Sequence, residues 1–252
     1  MTGDEYLGQI LIEKAKFGCS DYALIYSVVS PIITRWAGNY LEEIFPSGSS
    51  AKNTALKGKS DVDVFISIKH SCPNTLKEIF NKLAARMEKE GYLVRKQNVS
   101  IGTTIYGRDV DLVPGKKETG NTNYHWLYKS KNDSRTLTNV KQHITDITNS
   151  KRAKFIQLTK IWRNCHRLEF PSMNIELAVL EALKDQPHDI GLEQGFFNVL
   201  TYIQNNIETA RLVDPCNTNN IISDDMTTTE KNKLAQKAQY CLRQTLWSNI
   251  IW

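Results

Sequence analysis

PSGSSAKNTALKGKSDVDVF, residues 46–65, is the stretch on which the reading of this chain turns. It reads as a strand end, a Gly48-Ser49 turn, a short helical turn and a second strand carrying Asp61 and Asp63. Side chains along a strand alternate between faces, so Asp61 and Asp63 share one side and Val62, Val64 and Ile66 the other, toward a core. Two carboxylates about 7 Å apart along a strand repel each other unless a cation lies between them. Hard divalent ions such as magnesium prefer oxygen ligands of this kind. The Gly-Ser turn offers backbone N–H groups and a hydroxyl without a blocking side chain, which suits a phosphate. A metal site beside a phosphate cradle is equipment for phosphoryl or nucleotidyl transfer. The plainer alternative is an exposed strand that two aspartates merely decorate.

Bulk properties narrow the field. At 252 residues the chain is long enough for one large domain or two small ones. Its 23% charged and 40% hydrophobic residues are near globular averages, which argues against disorder, collagen and coiled coil. A net charge of +5 favours anionic partners without demanding nucleic acid, since triphosphates alone would satisfy it. Five cysteines stand singly at Cys19, Cys72, Cys165, Cys216 and Cys241, and Cys165-His166 has no second ligand pair at zinc spacing. The odd count and the absence of a signal-peptide pattern point to a reducing cytoplasm. The most apolar run, YALIYSVVSPIIT from Tyr22, is too short and too interrupted to span a bilayer.

Taken in order, the first forty residues read as helices, with Ser30-Pro31 as a helix start and Ile32, Ile33, Trp36, Tyr40 and Leu41 as an apolar stripe. Pro73 opens another helix, with Leu76, Ile79, Phe80, Leu83 and Met87 on one face, and Gly91 closes it. YLVRKQNVS and IGTTIYGRDVDLVP follow as β-rich runs, so the first half is a small mixed sheet with helices on one face. Residues 115–135, rich in Asn, Lys and Ser, read as a loop or linker. Its Lys116, Lys117, Lys129 and Lys131 either face an anionic substrate or lie in solvent. The second half reads as helices around Ala153–Trp162, from Pro171-Ser172 to Leu183, through Phe196–Ile203, and from Glu230 to Trp247. The terminal Ile250-Ile251-Trp252 is expected to dock rather than hang free.

The Gly-Ser, spacer and Asp-x-Asp pattern resembles the signature of the DNA polymerase β-like nucleotidyltransferase superfamily. That resemblance implies a third carboxylate on a neighbouring strand. GRDVDLVPG supplies Asp109 and Asp111, which share a strand face, so periodicity cannot choose between them. Asp111 is preferred because both its neighbours are apolar, while Asp109 follows Arg108 at the expected wet end. KFIQLTKIWRNCHRLEFPSMNIELAVLEAL resembles the helical core shared by archaeal-type CCA-adding enzymes, 2′-5′ oligoadenylate synthases and bacterial CD-NTases. In that group a lysine on the first helix and a serine opening the next hold the donor triphosphate, and Lys160 and Ser172 stand there. LVDPCNTNNI resembles the segment closing that domain, with Asp214, Asn217 and Asn220 read first as loop-structuring residues. One departure is Asn53, where the family often has glycine. Asn tolerates left-handed backbone well, so the turn is expected to survive.

The resemblance implies an α+β fold: a palm-like mixed-sheet nucleotidyltransferase domain with N-terminal helices over 1–128, a helical nucleotide-binding domain over 129–252, and the active site in the cleft between them. The expected catalytic and metal residues are Asp61, Asp63 and Asp111, with Gly48, Ser49, Lys160 and Ser172 on the nucleotide. The expected cofactor is a pair of Mg2+ ions, with Mn2+ as substitute, and the expected substrates are NTPs, ATP foremost, in the cytoplasm and away from membranes. The leading activity is synthesis of a cyclic or short oligonucleotide signal, as in bacterial antiphage systems. An RNA 3′-end nucleotidyltransferase of the CCA-adding or tRNA-modifying kind is the alternative. It is disfavoured by the mild charge and by the further RNA-gripping domains expected of CCA enzymes. A catalytically dead regulatory relative is the third reading, and three intact aspartates argue against it.

Overall fold

A computed structural model describes residues 1–16, 20–120 and 122–252, so Cys19 lies outside the described residues. The helices are α1 Gly3–Lys14, α2 Ser20–Ala37, α3 Gly48–Ala51, α4 Leu76–Lys89, α5 Val140–Ser150, α6 Ala153–Cys165, α7 Ser172–Ala182, α8 Leu192–Asn206 and α9 Thr228–Leu242. The strands are β1 Leu41–Pro46, β2 Val62–Ile68, β3 Arg95–Lys96, β4 Ile101–Ile105, β5 Arg108–Lys117, β6 His125–Lys129, β7 Ser134–Thr138, β8 Val213–Asp214 and β9 Asn217–Ile221. This is the α+β class expected.

The two compact units are not divided at 128/129. One comprises Met1–Lys16, Thr54–Lys57 and Asp146–Trp252; the other comprises Phe17–Asn53 and Gly58–Thr145. The difference has a packing cause. Leu7, Ile10 and Leu11 of α1 are buried in the helical core, and Asp4 accepts a 2.7 Å hydrogen bond from the Glu193 N–H at the start of α8. Thr54–Lys57 is tied to the same unit through Lys57 N–H to the Lys14 carbonyl and Lys16 N–H to the Ala55 carbonyl.

The sheet unit has strand order β1-β2-β5-β4-β3, with β6 on β5 and β7 on β6. Among the described residues, β2–β5 is the one parallel pair of this sheet and the other pairings are antiparallel. Val62, Val64, Ile66 and Ile68 enter one core with Val110 and Leu112, covered by α2 and α4. On the other face Phe65 packs with Phe45 and Leu127. Strand β2 is thus buried on both sides beyond Asp63, as a central strand requires.

Four sequence expectations change here. Helix α2 runs unbroken through Pro31 rather than starting at it. Ile25, Val29, Ile32 and Ile33 recur at helical spacing and are all buried in one core. Four buried aliphatic side chains at about 1.5–3 kcal/mol each outweigh the roughly 3 kcal/mol that an interior proline costs. Tyr40 and Leu41 leave the helix for a 3-10 turn and β1. Residues 115–135 are not a linker: they finish β5 and form β6 and the start of β7. Helix α4 begins at Leu76 behind a Thr75–Glu78 capping box, and Gly91 follows its end at φ +89°.

In the helical unit Phe155, Ile156, Trp162, Ile175, Val179, Phe196, Val199 and Leu234 share one core. The last helix ends at Leu242, earlier than expected. Ile250 and Ile251 are nonetheless buried, and the Tyr6 hydroxyl donates to the Ile251 carbonyl at 3.0 Å. Asp214 braces the β8–β9 hairpin by accepting from Cys216 N–H at 2.9 Å and Asn220 Nδ2 at 3.3 Å, the loop-structuring role expected. The four described cysteines are all unpaired by disulfide. Among the described residues no helix is long and apolar enough to cross a membrane.

Candidate active site

The parallel pairing of β2 with β5 sets Asp63 directly beside Asp111. Neighbouring strands lie about 4.8 Å apart, and both side chains emerge on the face opposite the Val62/Val64/Val110/Leu112 core. Asp61, just before β2, is exposed; Asp63 and Asp111 are half-buried. Asp111 accepts from Gln97 Nε2 at 3.0 Å and from the Ser100 hydroxyl at 3.3 Å. Asp109 instead pairs with Arg95 at 3.0 Å and accepts from Thr104 Oγ1 at 3.3 Å, on the exposed end of β5.

Two of these carboxyls titrate above the ordinary aspartate range. Desolvation raises Asp111, and the Asp61 charge adds to it. Desolvation also raises Asp61, followed by the Asp109 charge. Arg95 is the cation that acts on both, and it is already engaged by Asp109. Clustered carboxylates that lack enough positive charge, with oxygen as the donor atom, fit a hard divalent cation.

Against this cluster lies the Gly-Ser turn. Ser47 N–H donates to the Asp63 carbonyl at 3.0 Å, locking the turn to β2. Gly48 has φ +59°, and a Cβ there would fall 1.8 Å from Asp63 Oδ2. Only glycine meets both demands. The turn continues through the four-residue α3 to Asn53, whose φ of 56° is the left-handed conformation expected of it.

Residues 32–118 match the nucleotidyltransferase domain family. The chain carries a nucleotidyltransferase domain. Over 183 residues the chain is 28% identical to the cyclic AMP-AMP-AMP synthase of Escherichia coli strain MS 115-1, a match covering 64% of this chain and 57% of that protein. The fold is that of E. coli MS115-1 CdnC in its HORMA-deltaN complex, with TM-score 0.79 at 19% identity over 98% of this chain and 96% of that one. It also resembles the Elizabethkingia meningoseptica CdnE cyclic dinucleotide synthase solved with GTP and Apcpp, with TM-score 0.72 at 16% identity over 97% and 100% of the two chains.

Around the carboxylate cluster, the residues that sequence reasoning missed are the supports. Gly102 pairs with Asp111 across β4–β5, and a Cβ there would come within 2.7 Å of Gln97 Nε2 and 3.2 Å of Asp111 Oδ1. Its lack of a side chain gives Gln97 room to reach Asp111. A glycine inside the β-run IGTTI was the available signal.

Lys160 and Ser172 lie in the helical unit. Lys160 is 3% exposed, donates to the Thr54 carbonyl at 3.2 Å and hydroxyl at 3.1 Å, and stands 3.8 Å from Glu176. It is therefore no solvated surface lysine. Ser172 is exposed in the first turn of α7, directly after the Pro171 cap. Of the lysines weighed in 115–135, Lys116 donates to the Cys72 and Asn74 carbonyls and Lys117 pairs with Glu42 at 2.9 Å.

Proposed function

We propose that this protein transfers a nucleoside monophosphate from an NTP, ATP foremost, to a nucleotide hydroxyl, and that its product is a cyclic or short linear oligonucleotide signal. The observation that carries the reading is Asp63 beside Asp111 on parallel strands, with Gly48 closed against Asp63. The likeness to a cyclic AMP-AMP-AMP synthase and to cyclic dinucleotide synthases supports the choice of product class.

Asp61, Asp63 and Asp111 would hold the divalent ions. Magnesium bound there supplies charge neutralisation on the phosphates and a lowered pKa at the attacking hydroxyl. Gly48 and Ser49 would present backbone N–H groups and a hydroxyl to the triphosphate, and Ser172 is kept as a candidate nucleotide-binding hydroxyl of the helical unit. Lys160 positions the Thr54 segment that follows the turn. In the reaction the acceptor oxygen bonds to the α-phosphorus and its proton departs. The bond to the β-phosphate oxygen breaks, and pyrophosphate leaves. The chain's own contribution is to align the hydroxyl with the α-phosphate and to accept the charge around it. Cysteines without disulfides suit a reducing cytoplasm.

The deciding experiment incubates the protein with labelled ATP, GTP, CTP and UTP and magnesium, and resolves the products after phosphatase. A phosphatase-resistant oligonucleotide released with pyrophosphate is the expected result. Absence of any incorporation under magnesium or manganese would return the chain to the dead-relative reading.

A further inference from the structure

A cavity of about 710 Å³ opens in the sheet unit, away from the aspartates. Ile68, at the far end of β2, lines it. Five residues of strand rise put it about 17 Å from Asp63. Ile68, Cys72 and Ile79 line it with apolar surface and are themselves buried. Trp36 and Tyr40 add two aromatic rings, the second 40% exposed.

The rim is cationic. Lys82, Arg86 and Lys89 line the cavity from α4, and none of its lining residues is an aspartate or glutamate. Glu90 is the nearby carboxylate, and Arg86 holds it at 2.6 Å with Arg35 at 3.9 Å. Arg86 Nε is buried with no hydrogen-bond partner, an unusual state for a guanidinium donor. The loop that walls the cavity is fixed in place: Lys116 bonds the Cys72 and Asn74 carbonyls, and Lys82 donates to Asn74 Oδ1 at 2.8 Å.

We propose that this cavity is a second ligand site, for a small anion carrying a flat ring, the chemistry of a nucleoside monophosphate. Its volume lies within the range of small-molecule sites. The rings of Trp36 and Tyr40 offer stacking faces, and Lys82, Arg86 and Lys89 supply the countercharge. The site stands independently of the transfer reaction, because none of its residues belongs to the carboxylate cluster or the Gly-Ser turn.

The test measures AMP binding by calorimetry in EDTA, which removes metal-dependent binding elsewhere, with inorganic phosphate as a parallel probe. Wild type should bind one AMP per chain, at least tenfold more tightly than phosphate. Asp63→Asn should leave that binding unchanged. Lys82→Glu combined with Lys89→Glu should weaken it at least tenfold, as should Tyr40→Ala. All three positions are exposed, so the fold should persist. The proposal is overturned by no AMP binding, by phosphate binding as tightly as AMP, or by binding that Asp63→Asn abolishes and the lysine reversals leave intact.

Discussion

Asp63 and Asp111 occupy matched positions on the parallel strand pair β2–β5. In a parallel pair both strands run the same way, so each side chain stands beside its partner with the same tilt. The paired backbones therefore hold the two residues side by side, whatever rotamers their side chains take. With Asp61 adding its charge to Asp111, the fold gathers acidic groups on this face, and a cation bound there would relieve the repulsion.

That repulsion predicts the pH dependence of the metal-free protein. Desolvation and neighbouring carboxylates raise Asp61 and Asp111 above their ordinary value of 3.8. A raised acid binds its proton more tightly when folded than when unfolded. Stability therefore falls as pH climbs from about 3.8 through the raised folded values, and the penalty is complete above them. In EDTA at neutral pH, Asp111→Asn should melt higher than wild type. Magnesium should raise the wild-type Tm and leave the variant's nearly unmoved. Equal magnesium stabilisation of both would show that Asp111 is not a ligand.

Asp109 and Asp111 make a sharper pair. Asp109 already holds Arg95 and lies exposed, whereas Asp111 faces Asp63. Asp111→Asn should lower nucleotidyl transfer roughly a hundredfold or more, several kcal/mol of barrier. Asp109→Asn should stay within a few-fold of wild type. The reverse ranking in a pyrophosphate-release assay would move the third ligand to Asp109.

The two glycines at the site should fail differently. Gly48→Ala places a Cβ onto the Asp63 carboxylate at a left-handed φ, so both stability and transfer should fall. Gly102→Ala meets the tip of Gln97, which can swing aside, and comes within 3.2 Å of Asp111 Oδ1. The fold should survive, but Asp111 loses a partner and magnesium affinity should drop about 10- to 100-fold, the usual cost of removing support behind a ligand. Titration of magnesium by thermal shift separates the two, and unchanged affinity in Gly102→Ala would remove Gln97 from the site.

Lys160 tests positioning against phosphate binding. It sits buried between the Thr54 backbone and Glu176. Lys160→Met strands a buried carboxylate, which costs about 3–5 kcal/mol. Chemical denaturation should show that loss with no nucleotide present. A variant as stable as wild type but weaker for ATP would make Lys160 a phosphate ligand alone.

Legibility in the sequence followed locality. Asp61 and Asp63 could be placed by period-two alternation, and Asp111 by its apolar flanks, because those signals lie within a few residues. The α4 face was readable for the same reason. Residues 125–138 were not, since β6 (HWLYK) and β7 (SRTLT) are only five residues each, carry Lys, Arg, Ser and Thr, and bury His125, Leu127 and Thr138 rather than a run of aliphatic side chains. Pro31 misled because its helix is held by burial that only the tertiary core reveals. Nor could any local pattern show that Thr54 is bonded to Lys160, 106 residues away, or that Gln97 and Ser100 brace Asp111.

The choice between a nucleotide signal and an RNA end rests on where the positive charge is spent. Gripping tRNA means neutralising several phosphates at once, and each contact steepens the loss of affinity with salt. This chain has a net charge of only +5. Many of its cations are engaged within the fold: Lys116 on backbone carbonyls, Lys117 on Glu42, Lys141 on Glu43, Lys77 on Asp133 and Arg95 on Asp109. Lys160 is buried. Weak tRNA binding and synthesis from NTPs alone are therefore expected. The measurement compares label incorporation from all four NTPs with and without tRNA lacking its 3′ end, at low and at 0.2 M salt. Product formed equally in both, as a small phosphatase-resistant species, supports the signal. Label that appears only with tRNA and migrates with it would replace that reading with RNA 3′-end addition.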